Sequence, residues 1–224
     1  MRIAIIMAGP YRGNKSIVEN QLNMIGSYDT YVSCLEHYRE DWINSGWNIK
    51  KLFTTPNINF KETNWAKYRD DGAGQAGFWQ FWNLRNVIKS IPNNYDFYIK
   101  TRCDLEFTEC NLDISNLQSN TIYSSNHNFH QDYWHREHLI NDQFYIGDYN
   151  SMLVVSDVVM EFYTKDRHGK NDAGPYFGSN EAALRMFLNE NNISVNELNG
   201  IKYTKNHNGV TEPSGCTGFQ LETI

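Results

Sequence analysis

Lys100, Arg102, Asp104 and Glu106 stand at the end of an apolar run, in the stretch YDFYIKTRCDLEF over residues 95–107. Side chains alternate along an extended chain, so Arg102, Asp104 and Glu106 share one face if the strand continues through them. Carboxylates in that position could hold a divalent cation bridging two phosphates, because hard cations take oxygen ligands. A solvated strand end with a structural Arg–Asp pair is the plainer alternative.

The turn Ala8-Gly9-Pro10-Tyr11-Arg12-Gly13-Asn14 is a second place for chemistry. Ala8, Gly9 and Pro10 are small enough for a ligand to approach the backbone. A helix starting after Asn14 would favour an anion at its N-terminus. Arg12 adds a full positive charge suited to a diphosphate. The turn is neither a G-x-G-x-x-G fingerprint nor a P-loop. It also reads as an ordinary strand-to-helix turn with a surface arginine.

Both segments need a strand to deliver them, and the sequence supplies one for each. Residues 2–8 form a continuous apolar run ended by Gly-Pro, the pattern of a fully buried parallel strand. Val18, Leu22 and Ile25 then share one helical face. Further strands are predicted over residues 29–35, 50–55 and 95–101, with helices over 36–44 and 74–91. Strands alternating with helical patterns indicate βαβ units and a mainly parallel sheet. In an open α/β sheet, ligands bind beyond the carboxyl ends of the strands.

The second half is less regular. Residues 121–125, 143–147 and 201–204 read as strands, and residues 152–162 and 179–189 as helices. Polar, irregular stretches fill residues 56–71 and 161–176, and the tail from His207 onward is loop-like. His127, His130, His135 and His138 fall between two of the strands, but no inward helical pattern supports a zinc site there. A polar loop on the acceptor side is the expectation. No internal repeat or low-complexity linker divides the chain, so residues 1–224 are expected to form one domain, with 1–107 and 108–224 as its halves.

Composition narrows the classes. The 224 residues suffice for one large domain with a buried core. Apolar residues make up 40%, with 14 Tyr, 12 Phe and 6 Trp, unlike a disordered chain. A net charge of −6 argues against a nucleic-acid partner, which leaves a basic footprint. No apolar run reaches the ~20 residues that span a bilayer, and the opening run is too short for a secretory signal. Cys34, Cys103, Cys110 and Cys216 lack metal-finger spacing and read as reduced thiols, which implies a cytoplasmic protein.

The strand followed by Arg102-Cys103-Asp104 resembles the Asp-x-Asp region of GT-A glycosyltransferases. In particular it is similar to small WavE-like lipopolysaccharide-synthesis and virus-encoded glycosyltransferases. The opening IAIIMAGPYRG, the later INDQFYIG (residues 140–147) and SNEAALRMFL (residues 179–188) fit the same resemblance in order. It implies an α/β fold: one GT-A-like, Rossmann-like domain with a mixed, mainly parallel sheet flanked by helices. The implied activity is hexosyl or deoxyhexosyl transfer from a nucleoside-diphosphate sugar to a hydroxyl of a glycan or lipopolysaccharide-like acceptor.

The resemblance also implies roles. Ala8, Gly9, Pro10, Arg12, Lys100 and Arg102 would hold the nucleotide and its diphosphate. Asp104, with Glu106 and a late His207, would bind Mn²⁺ or Mg²⁺. The usual first Asp is Arg102 here, so Arg102 could replace part of the cation's charge, or the acidic pair could be Asp104 and Glu106 instead. Asp142 would contact the donor sugar or stabilise positive charge at its anomeric carbon; Asn-Asp is also a good turn former. Glu181 would bind or deprotonate the acceptor hydroxyl; it is also a helix-starting Glu favoured by the macrodipole. Two other classes remain open. A nucleotidyltransferase would want a more basic first loop. A carbohydrate-binding module would use Tyr133 and Trp134 but has no need of Asp104 and Asp142.

Overall fold

Strand β1 (Ile3–Ala8) forms because both of its faces are apolar and both of its edges find partners. Ile3, Ile5 and Met7 face one side and Ala4 and Ile6 the other, so the strand divides the buried residues into two clusters. β2 (Asp29–Leu35) pairs with it in parallel on one edge and β4 (Phe97–Thr101) on the other. The computed structural model describes residues 1–56, 58–63, 66, 72–125, 142–164, 180–207 and 210–212.

The main sheet has seven strands in the order β3-β2-β1-β4-β7-β6-β8, with β3 Ile49–Thr55, β6 Thr121–Ser124, β7 Tyr145–Gly147 and β8 Ser194–Glu197. Among the described residues only β7 runs against its neighbours; the other pairs of this sheet are parallel. A smaller antiparallel sheet joins β10 (Val210–Glu212), β9 (Ile201–His207) and β5 (Leu105–Cys110). The chain is thus α/β with a mixed, mainly parallel sheet flanked by helices, as the sequence predicts.

One core face takes α3 (Gly72–Ser90), α4 (Tyr149–Thr164) and α5 (Asn180–Glu190). It is filled by Phe78, Phe81, Leu84, Val155, Leu184 and their neighbours. The other face takes α1 (Lys15–Ile25), Trp42 of the short α2 (Arg39–Ile43) and the small sheet. Phe107, Phe144 and Tyr203 join the two sheets through edge-to-face and tilted contacts, with Phe107 5.4 Å from Phe144 and 5.5 Å from Tyr203 between ring centroids. Burying each such aromatic is worth roughly 1.5–3 kcal/mol.

The direction of winding locates the site. From β1 the chain moves outward to β2 and β3, then α3 returns it to the opposite edge of β1 as β4. Strand order therefore reverses between β1 and β4, and a crevice opens where their carboxyl ends diverge.

Several boundaries differ from the sequence expectation. β5, β8 and β10 form where the sequence predicts no strand. The helix expected over residues 36–44 is a 3₁₀ turn (Glu36–Tyr38) followed by α2. Among the described residues no helix is long and apolar enough to cross a membrane. Cys34, Cys103 and Cys110 carry free thiols, all raised above the ordinary range by burial first.

A candidate active site at the strand ends

The turn after β1 is locked from three directions. Gly9 adopts φ 108°, a region open to glycine. Its N–H donates to the Ser33 carbonyl of β2 at 2.8 Å, and its carbonyl accepts from the Trp42 indole at 2.9 Å. The Tyr11 ring meets Trp42 edge-on, 5.2 Å between centroids. Asn14 then caps α1, its side chain accepting from the Ile17 N–H at 3.0 Å. The Arg12 side chain is exposed and makes no ion pair among the described residues.

Cys103 ties this turn to the one after β4. Its sulfur accepts from the Arg12 N–H at 3.2 Å and its thiol donates to the Pro10 carbonyl at 3.5 Å. Burial, then the charge of Asp104, push the thiol up to about 12, so it stays protonated and serves as a joint rather than a nucleophile. Gly13 completes the fit, since a Cβ there would lie 2.5 Å from the Cys103 carbonyl oxygen. Gly13→Ala is expected to cost about 1–3 kcal/mol and to weaken any ligand held between the two turns. Thermal denaturation and calorimetric titration with UDP and GDP check both effects.

The stretch after β4 does not stay extended, which corrects the expectation of one shared face for Arg102, Asp104 and Glu106. The chain turns at Cys103 and Asp104 and enters the small sheet as β5. Gln21 of α1 holds the turn, its amide donating to the carbonyls of Arg102 (2.8 Å) and Leu105 (2.7 Å). Asn20 exchanges two hydrogen bonds with the Phe107 backbone. Leu105 and Phe107 point into the core, so Glu106 lies on the opposite face of β5. β9 pairs Lys205 with Leu105 and runs on, which carries the backbone of His207 past the start of β5; the His207 side chain lies outside the described residues.

Arg102 and Asp104 form a two-point ion pair, Nε to Oδ1 at 2.8 Å and Nη2 to Oδ2 at 2.6 Å. The carboxylate is almost wholly buried, with 2% of its side chain exposed against 20% for the arginine. Burial opposes the charged guanidinium, but Asp104 first and Asp142 after it outweigh that and leave the arginine more firmly protonated.

Asp142 stands close enough to Arg102 for that charge to be felt, and it is anchored. Gln80 of α3 donates to its Oδ2 at 3.0 Å and to its carbonyl at 3.3 Å. Lys100 donates to the same carbonyl and, at 3.3 Å, to that of Gln143. The lysine is wholly buried, with its ammonium 5.4 Å from the centre of the Tyr145 ring. Its charge is engaged by main-chain carbonyls between β4 and β7, not turned outward for a diphosphate as the sequence suggests. Around it, the buried hydroxyls of Thr101, Ser125 and Tyr145 have no hydrogen-bond partner among the described residues. All three sit where β4 and β6 end and β7 begins, on the edge that carries Asp142. Unpaired buried groups are uncommon and call for a specific cause.

Glu181 lies in the first turn of α5. That helix leads through a tight turn into β8, which starts beside the beginning of β6. The first turn of α5 therefore points toward the edge where the parallel strands end. The histidines at 127, 130, 135 and 138 and the aromatics Tyr133 and Trp134 lie outside the described residues. Gln21, Gln80, Trp42 and Cys103 are the positioning residues that the sequence does not announce. The available signal is a polar side chain on an otherwise apolar helical face, as for Gln21 between Val18 and Ile25.

No family model and no curated protein sequence matches the chain. Solved structures similar to it include two glycosyltransferases. Mouse xyloside xylosyltransferase 1, in its apo form, has a TM-score of 0.44 and 10% identity, covering 88% of this chain and 84% of that one. The galactosyltransferase LgtC, in complex with donor and acceptor sugar analogues, has a TM-score of 0.44 and 12% identity, covering 88% of this chain and 73% of that one.

Proposed function

We propose that the chain is a GT-A-like glycosyltransferase that moves a sugar from a nucleoside-diphosphate sugar to a hydroxyl of a glycan or lipopolysaccharide-like acceptor. The observation that carries this reading is the joint at Cys103. It brings an exposed arginine, Arg12, with no ion pair among the described residues, and the largely buried Arg102–Asp104 pair to the crevice where strand order reverses. Two arginines at the mouth of an open α/β sheet suit a diphosphate.

In the proposed reaction the acceptor oxygen forms a bond to the anomeric carbon as that carbon's bond to the diphosphate oxygen breaks. Arg12 and Arg102 stabilise the charge gathering on the departing diphosphate. Asp142, fixed by Gln80 and Lys100, faces the sugar. Glu181 takes the acceptor proton. Ala8, Gly9 and Pro10 supply backbone that a nucleoside can approach closely.

The resemblance implies Mn²⁺ or Mg²⁺ at Asp104, Glu106 and His207. The described residues fit that cation poorly. Both oxygens of Asp104 accept from Arg102, Glu106 is carried on β5 after the turn that holds Asp104, and no group of three or more His, Cys, Asp or Glu among the described residues could hold a metal ion.

The test is incubation with UDP-, GDP- and dTDP-sugars, with and without Mn²⁺. Sugar released into water or joined to an acceptor supports the transferase. Pyrophosphate release would make the protein a nucleotidyltransferase, and unchanged donors with saturable glycan binding would make it a binding module.

A further inference from the structure

We infer that Arg102 grips the donor's diphosphate directly and without a divalent cation, with Asp104 serving as the rest that fixes the guanidinium. The inference rests on the donor site proposed above.

A guanidinium carries five N–H donors in a rigid plane. Asp104 takes one from Nε and one from Nη2, which is the side edge of the plane. That leaves the outer edge, Nη1 with the second hydrogen of Nη2. Two parallel N–H groups on that edge match two oxygens of a phosphate. The described residues give this edge no protein partner.

Exposure points the same way. The carboxylate is 2% exposed and the arginine 20%, so the accessible part of the pair is the cation. A metal ion seeking Asp104 would have to displace a two-point fork and leave a largely buried arginine without its carboxylate. Breaking such a pair is strongly unfavourable. The turn itself resists rearrangement, because Gln21 holds the carbonyls of Arg102 and Leu105 while Cys103 is bonded into the β1 turn.

Charge balance also fits. The chain carries a net −6, so a diphosphate needs local positive charge to approach. Asp104 offsets the formal charge of Arg102 but leaves the N–H donors of its outer edge for a phosphate, and Arg12 brings a further positive charge on the adjoining turn. An arginine pair thereby occupies the place that a cation would otherwise fill at the leaving group.

The experiment is calorimetric titration of the full chain with UDP and with GDP, once in EDTA and once in excess Mn²⁺. The affinity for the better nucleotide should agree between the two buffers within about threefold. Arg102→Lys keeps the charge but loses the planar fork, and should weaken binding about 10–100-fold in both buffers. Binding that appears only with Mn²⁺ would overturn the inference and leave the donor site standing. Failure of both nucleotides in both buffers would remove the donor site and the inference together. The comparison between buffers uses the unaltered chain, so it decides the matter even if Arg102→Lys does not fold.

Discussion

Glu181→Gln should bind a nucleoside-diphosphate sugar as the parent chain does, yet transfer it about 10²–10⁴-fold more slowly. An acceptor hydroxyl is a weak nucleophile, and removing its proton as the bond forms is where a positioned carboxylate contributes. The amide has nearly the same shape but cannot take the proton. The N-terminal turn of a helix favours a carboxylate through the N–H groups there, and Glu181 lies in that turn. Its helix is well anchored behind it, with Leu184, Phe187 and Leu188 buried against the core. The substitution therefore acts on chemistry, not on folding. The measurement is a pair: donor affinity by calorimetry, and single-turnover transfer with a working acceptor. Turnover equal to the parent would place the base elsewhere, with Asp142 the next candidate.

The parallel half of the sheet was legible because its signals are local. A continuous apolar run closed by Gly-Pro specifies β1, and the polar cluster after Thr101 marks a strand end. The path of the chain past that end was not legible, because no local pattern decides it. Residues 102–106 alternate as an extended strand would. The turn at Cys103 and Asp104 is imposed by Gln21 from α1 and by the sulfur's two bonds to the β1 turn, some ninety residues away in sequence. β8 was missed for a related reason. Its sequence, Ser-Val-Asn-Glu, is mostly polar and exposed, and it becomes a strand by adding to the free edge of β6.

Lys100 illustrates the same limit at the site. From sequence it is a cation at the end of a strand, hence a natural partner for a phosphate. The antiparallel return of β7 beside β4 is a tertiary fact, and it brings the carbonyls of Asp142 and Gln143 to the ammonium group. A buried lysine needs such acceptors, since an uncompensated charge in the core is costly. Its part in the site is therefore indirect: it fixes the backbone that carries Asp142.

Asp142→Asn should lower sugar transfer and donor hydrolysis together, by about 10–100-fold, while leaving the affinity for the free nucleoside diphosphate nearly unchanged. The estimate corresponds to one charge-assisted hydrogen bond, about 1.5–3 kcal/mol. The backbone of residue 142 stays in place because Lys100 holds its carbonyl, and Gln80 can still donate to the remaining side-chain oxygen. In the proposed reaction, what the substitution removes is the negative charge beside the sugar, where positive charge develops at the anomeric carbon as the diphosphate leaves. Removing that charge also frees Arg102 from one of the carboxylates that draw on it, so the grip on the diphosphate does not weaken. The two readouts thus separate: free nucleotide binds as before, whereas the intact donor is handled poorly. Equal loss of both would mean that Asp142 supports the nucleotide site instead of the sugar. No change in either would reduce Asn141-Asp142 to the turn that its composition favours.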